Sequence, residues 1–110
     1  MFRLTVIYAT KKDGHFDFDY YVKKHLPLVL PLIGNSVIRT VVGRGIEGIG
    51  EENPPYTAIA QLYLKDLDGL KAAFENHGDE IMNDVPKFTN ITPVLNIEEI
   101  ISNERPLEEN

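Results

Sequence analysis

The order of segments in this chain predicts an α+β fold, β-α-β-β-α-β: one antiparallel four-stranded sheet with two helices on one face, the ferredoxin-like arrangement. Three observations carry the prediction. Runs rich in Val, Ile and Tyr alternate with two stretches whose apolar residues recur at helical spacing. Gly, Pro, Asn and Asp punctuate the changes. The length, 110 residues, suits one domain and not two. The expected division is a single domain over residues 1–101 and an acidic tail over 102–110.

The first strand is read over Phe2–Thr10 (FRLTVIYAT), followed by a polar turn, Lys11–His15. A helix then starts at Asp17, whose carboxylate can cap the free amides of the first turn. Phe16 just outside and Tyr21 inside are spaced as a hydrophobic staple. This helix runs toward Gly34, a natural terminator. The second strand covers Asn35–Ile46, and GIGEENPP is a loop. Tyr56–Leu64 (YTAIAQLYL) is the third strand. The second helix covers Lys65–Gly78, with Leu67, Leu70 and Phe74 on one face, and Asp79–Pro86 forms a short helical piece. The last strand is read over Thr89–Ile100.

Both faces of the sheet carry apolar residues. Ala58, Ala60 and Leu62 alternate with Ile59, Gln61 and Tyr63, and Leu4 and Val6 alternate with Thr5 and Ile7. A sheet with one wet face alternates more cleanly. The helices cover one side, so a second copy of the chain is expected on the other, giving a barrel-like homodimer.

The stretch YYVKKHLPLVLPLIG (Tyr20–Gly34) places His25 just before Pro27, with Pro31 one turn on. At about 100° per residue, Val22, His25, Val29 and Leu32 share a side with Phe18, Tyr21 lies at its edge, and Tyr20, Lys24 and Leu26 point elsewhere. Pro27 has no amide hydrogen and crowds the Lys23 carbonyl, which predicts a break at His25–Leu26. A helix lifted there leaves a pocket above the sheet, with the imidazole projecting into it. A purely structural ring, finishing a helix end with one hydrogen bond, competes with this reading. Imidazole titrates near neutral pH, which suits proton transfer. His77, before Gly78, reads as a ring bonding the last carbonyls of its helix, and His15 as solvated.

Gly43-Arg44-Gly45-Ile46-Glu47-Gly48 matches G-x-G-x-x-G. The sequel IGEENPP cannot open a helix, so a dinucleotide site is rejected. No two-His metal spacing and no G-x-S-x-G elbow occur. The net charge of −6, from 17 acidic and 11 basic residues, argues against nucleic-acid binding. The absence of cysteine removes disulfides, thiolate metal sites and cysteine nucleophiles. LPLVLPLIG is too short to span a bilayer and the first residues lack a signal-peptide pattern, so no membrane association and a cytoplasmic location are expected. Asn90-Ile91-Thr92 fits a glycosylation sequon without the secretory context that would give it meaning.

Two segments resemble the EthD family, named for a protein of bacterial ethyl tert-butyl ether degradation. Phe18, Asp19, Tyr20, Tyr21, His25, Pro27 and Leu28 match its F-D-Y-Y-x-x-x-H-x-P-L pattern, and Asp84, Pro86, Phe88 and Thr89 match its second motif. Arg44-Gly45 also fits, whereas Lys87 stands where Asn is more usual. The resemblance spans nearly the whole chain and implies a dimeric α+β barrel. It also implies a link to oxidative breakdown of small xenobiotic or aromatic compounds, without defining a reaction.

The expected function is acid–base chemistry on a small apolar ligand between sheet and helices. His25 is the candidate base and Tyr21 the group that steadies a developing oxyanion. Tyr8, Tyr63, Asp84 and Phe88 are the candidate substrate-binding residues. No metal or tightly bound cofactor is expected, with haem held open as an alternative. The rival reading is a non-catalytic module that binds a hydrophobic intermediate for an oxygenase.

Overall fold

The computed structural model describes residues 1–104; the last six residues of the expected tail lie outside the described residues. Four strands, β1 (Phe2–Ala9), β2 (Val37–Arg44), β3 (Tyr56–Leu64) and β4 (Val94–Glu99), form one antiparallel sheet in the order β2-β3-β1-β4. Three helical segments, α1 (Phe18–Tyr20), α2 (Leu26–Ile33) and α3 (Asp68–Asp84), pack on one face. The predicted fold class is the observed one.

Register decides which side chains meet the helices. Leu4 lies opposite Leu62 and Ile97, Val6 opposite Ala60 and Leu95, and Tyr8 opposite Ala58. These rows bury Leu4, Val6, Tyr8, Ala58, Ala60, Leu62 and Leu64 under Val29, Ile33, Leu70, Ala73 and Ile81. The small Ala58 and Ala60 let the helix layer come close.

The start of the first helical region follows the sequence. Asp17 accepts a hydrogen bond from the Tyr20 amide at 3.0 Å, and the Phe16 and Tyr21 rings lie 5.2 Å apart. The next turn does not. Instead of breaking at Pro27, the chain widens into a π-helical turn over Tyr21–His25, in which the Leu26 amide donates to the Tyr21 carbonyl five residues back. His25 and Leu26 keep helical dihedrals (φ −69°, ψ −51° and φ −61°, ψ −43°). Widening just ahead of the pyrrolidine ring moves the ladder carbonyls out of its way, so Pro27 sits in the first turn of α2, where its missing amide costs little.

The other differences are local. The helix read as ending at Gly78 and the helical piece after it are both present, joined across a kink at His77 (φ −133°, ψ 16°) into α3, which ends at Asp84. A 3-10 turn, Val85–Lys87, follows. β4 begins later than expected because the preceding residues are tied to the turn after β1. The Asp17 amide donates to the Phe88 carbonyl at 2.8 Å, and the Thr89 hydroxyl to the His15 carbonyl at 2.6 Å. Asn90, the sequon residue, clamps the same turn through the His15 amide and the Asp13 carbonyl. Gly45 marks a close approach, since a Cβ there would strike the Tyr56 carbonyl, so the glycine-rich run serves packing.

The other face of the sheet has no covering element among the described residues. One end is polar: Arg3 and Thr5 donate to Glu98 at 2.7 and 2.6 Å, and Arg3 and Arg39 flank the Tyr63 ring. The other end gathers Ile7, Ile59 and Val94 in one row, with Val41 one row away opposite Gln61.

Candidate functional site

His25 closes the π turn and is 5% exposed, above the sheet. It stacks on Tyr21 at 5.2 Å between ring centres, and Phe88 packs tilted against both rings, 4.6 Å from His25 and 5.0 Å from Tyr21. Its Nδ1 lies 2.8 Å from Asp84 Oδ2, at the end of α3. Asp84 Oδ1 accepts a hydrogen bond from the Tyr20 hydroxyl at 2.8 Å, and the Lys87 ammonium stands 3.6 Å away. Burial alone would raise the Asp84 carboxyl. The hydrogen bonds from His25 and Tyr20, helped by the charges of His25 and Lys87, outweigh it, and the net displacement is downward. Asp84 is therefore a carboxylate near neutral pH. A carboxylate only accepts, so the proton of the contact belongs to His25 Nδ1. That leaves Nε2 as the working nitrogen.

A cavity of about 40 Å³ lies beside the ring, lined by His25, Tyr8, Tyr21, Leu26, Val29 and Val85 among others. On that scale it holds about three waters, or the end of a small organic molecule. Burial pushes the Tyr21 phenol up to about 12, partly offset by the hydrogen bond from Tyr8, and raises the Tyr8 phenol further. Both phenols stay protonated at physiological pH; Tyr8 gives its one proton to Tyr21, which leaves the Tyr21 hydroxyl as the donor free for a ligand. One base, one free phenolic donor and aliphatic walls can take a proton from a carbon acid and receive the oxyanion that results.

Of the sequence-predicted residues, the structure gathers His25, Tyr21, Tyr8, Asp84 and Phe88. Phe88 is 1% exposed and backs the imidazole without lining the cavity. Tyr63 does not join them. Its register opposite Arg3 turns it to the uncovered face of the sheet, between two arginines. His77 is on the surface, its Nδ1 3.3 Å from Glu80. Two participants were missed, and only Leu26 through the π turn, since Tyr20 precedes it. Counting at α-helical spacing turned Tyr20 and Leu26 away and Val22 inward. Tyr20 instead holds Asp84, Leu26 lines the cavity, and Val22 is 50% exposed.

The EthD domain model matches residues 13–92, a span that holds Asp84, His25 and both tyrosines of the first motif. The chain belongs to the EthD family. Among solved structures it resembles an EthD-like protein from Ralstonia eutropha JMP134, with 28% identity and a TM-score of 0.85, covering 94% of each chain. An EthD family protein from Bacillus halodurans C-125 is 23% identical with a TM-score of 0.67, covering 92% of this chain and 99% of that one. HapK from Hahella chejuensis shares the fold alone, at 16% identity and a TM-score of 0.51, covering 94% and 98%. No curated protein matches the chain. No helix among the described residues is long and apolar enough to cross a membrane.

Proposed function

We propose that this EthD-family protein is an enzyme that moves a proton on a small, largely apolar carbonyl compound, in the oxidative breakdown of xenobiotic or aromatic molecules. The observation that carries the reading is the buried His25–Asp84 pair at 2.8 Å, beside a cavity that two phenols also line. His25 Nε2 takes a proton from the carbon next to the carbonyl. The C–H electron pair moves onto the carbonyl oxygen, where the Tyr21 hydroxyl donates to the enolate. The imidazolium formed is steadied by the Asp84 carboxylate, and it returns the proton at the same or another atom. Positioned acid–base groups of this kind contribute roughly 10²–10⁴-fold.

The working unit is a cytoplasmic homodimer, with the Ile7, Val41, Ile59 and Val94 patch as the centre of a sheet-to-sheet interface. The rival, a binding module without chemistry, uses the same cavity but needs no base. Deuterium exchange separates them. In D₂O the protein is expected to catalyse exchange of the α-protons of small ketones, and His25→Ala to abolish it while ketone-induced thermal shifts persist. Equal exchange by wild type and His25→Ala would remove His25 as the base.

A further inference from the structure

The cavity beside His25 is too small for a whole substrate. About 40 Å³ takes a carbonyl and the carbons next to it, and little more. The rest of any larger guest must lie elsewhere, and the structure offers one continuation. A groove of about 190 Å³ between α3 and β4 is lined by Leu4, Leu70, Lys71, Phe74, Leu95 and Ile97. Leu4, Phe74 and Leu95 belong to both the groove and the cavity, so the two share a wall. The groove arises from register. Leu95 and Ile97 face the helix side opposite Val6 and Leu4. The helix layer does not cover them, and they remain 38% and 46% exposed. Apart from Lys71, whose aliphatic stem can flank an apolar guest, the groove offers no charged side chain to a ligand.

We infer that the substrate is a carbonyl compound bearing an unbranched apolar chain, its carbonyl at His25 and its chain along the Leu70–Phe74–Leu95–Ile97 groove. This rests on the proton-transfer reading for the carbonyl end, while the groove itself stands on its own geometry. A chain suits it better than a ring: the side chains of alternate residues on β4 form a row, and α3 runs beside it. A second copy of the chain lying in the groove is the competing occupant.

Methyl ketones from butanone to octanone supply the test, titrated against the full chain by NMR with deuterium exchange followed in the same samples. Affinity should tighten about three- to fourfold per added methylene, the value of a buried CH₂, with amide shifts at Leu70, Phe74 and Ile97. Ile97→Glu, at a half-exposed site, should flatten that dependence; its circular dichroism and shift map check that it is folded. Affinity independent of chain length overturns the inference, as do shifts confined to Ile7, Ile59 and Val94 on the uncovered face. Loss of the dimer in Ile97→Glu also overturns it, by giving the groove to a second copy. His25-dependent exchange of butanone without a chain-length effect removes the groove and leaves the base. A chain-length effect without His25-dependent exchange does the reverse.

Discussion

Replacing Asp84 by Asn tests the centre of the site without changing its shape. The carboxylate accepts from His25 Nδ1 at 2.8 Å, both side chains being under 10% exposed. A buried hydrogen bond to a charged group is worth about 1.5–3 kcal/mol. An Asn side chain can turn its one carbonyl oxygen to His25 or to Tyr20, but cannot serve both. The expected loss at pH 7 is about 2–3 kcal/mol, or roughly 10 °C in Tm for a domain of this length. Its pH dependence has a definite sign. The Asp84 carboxyl is displaced below its ordinary value of 3.8 in the folded protein. Its contribution is therefore full above that value and is lost as the pH falls through the lower, folded one. Urea unfolding of wild type and Asp84→Asn from pH 7 down to strongly acidic conditions should give a constant gap that closes only below about pH 4. A gap under about 0.5 kcal/mol at pH 7, the scatter of ordinary surface substitutions, would refute the reasoning. So would a gap that persists unchanged in strong acid.

Three further outcomes are expected. Phe88→Ala, at a 1% exposed site against both His25 and Tyr21, should cost about 3–5 kcal/mol in denaturant unfolding and broaden the His25 ring resonances. Gly69→Ala puts a Cβ against the Ile33 carbonyl and 2.9 Å from Ser36 Oγ; a loss of about 1–3 kcal/mol is expected, and an unchanged midpoint would show that α3 can slide. Ile59→Glu, in the apolar patch of the uncovered sheet face, should yield a folded monomer by light scattering; a variant that remains dimeric places the interface elsewhere.

The strands and their order were legible because strands announce themselves by alternation. β3 runs from Tyr56 to Leu64 as read, with every second residue buried from Ala58 to Leu64. The Asp17 cap and the Phe16–Tyr21 staple were legible because both are local chemistry. What the sequence hid was rotation. The two prolines marked the right place but implied a broken helix, whereas the chain absorbed the strain as one wide turn. The azimuths of Val22 and Leu26 were then misjudged, and the two exchanged roles, while His25 and Val29 are buried on the sheet side as read. Tyr63 failed for a different reason. The tyrosine identifies neither face of a sheet that is apolar on both, and only its place opposite Arg3 decides. Asp84 was named from a motif, but its bond to His25 spans 59 positions, a closure no local pattern encodes.

The wide turn at Tyr21–His25 gives this segment an unusual arithmetic. It accommodates one residue more than an ordinary helix would between the same anchors, so removing Lys23 or Lys24 need not break the helix. The deletion would instead restore an ordinary turn between the same anchors, leaving Tyr20 and α2 seated while bringing Tyr21 and His25 three positions apart instead of four. Chain length here is a setting of the site, and a shortened homologue would keep the architecture while presenting a different set of side chains to its guest.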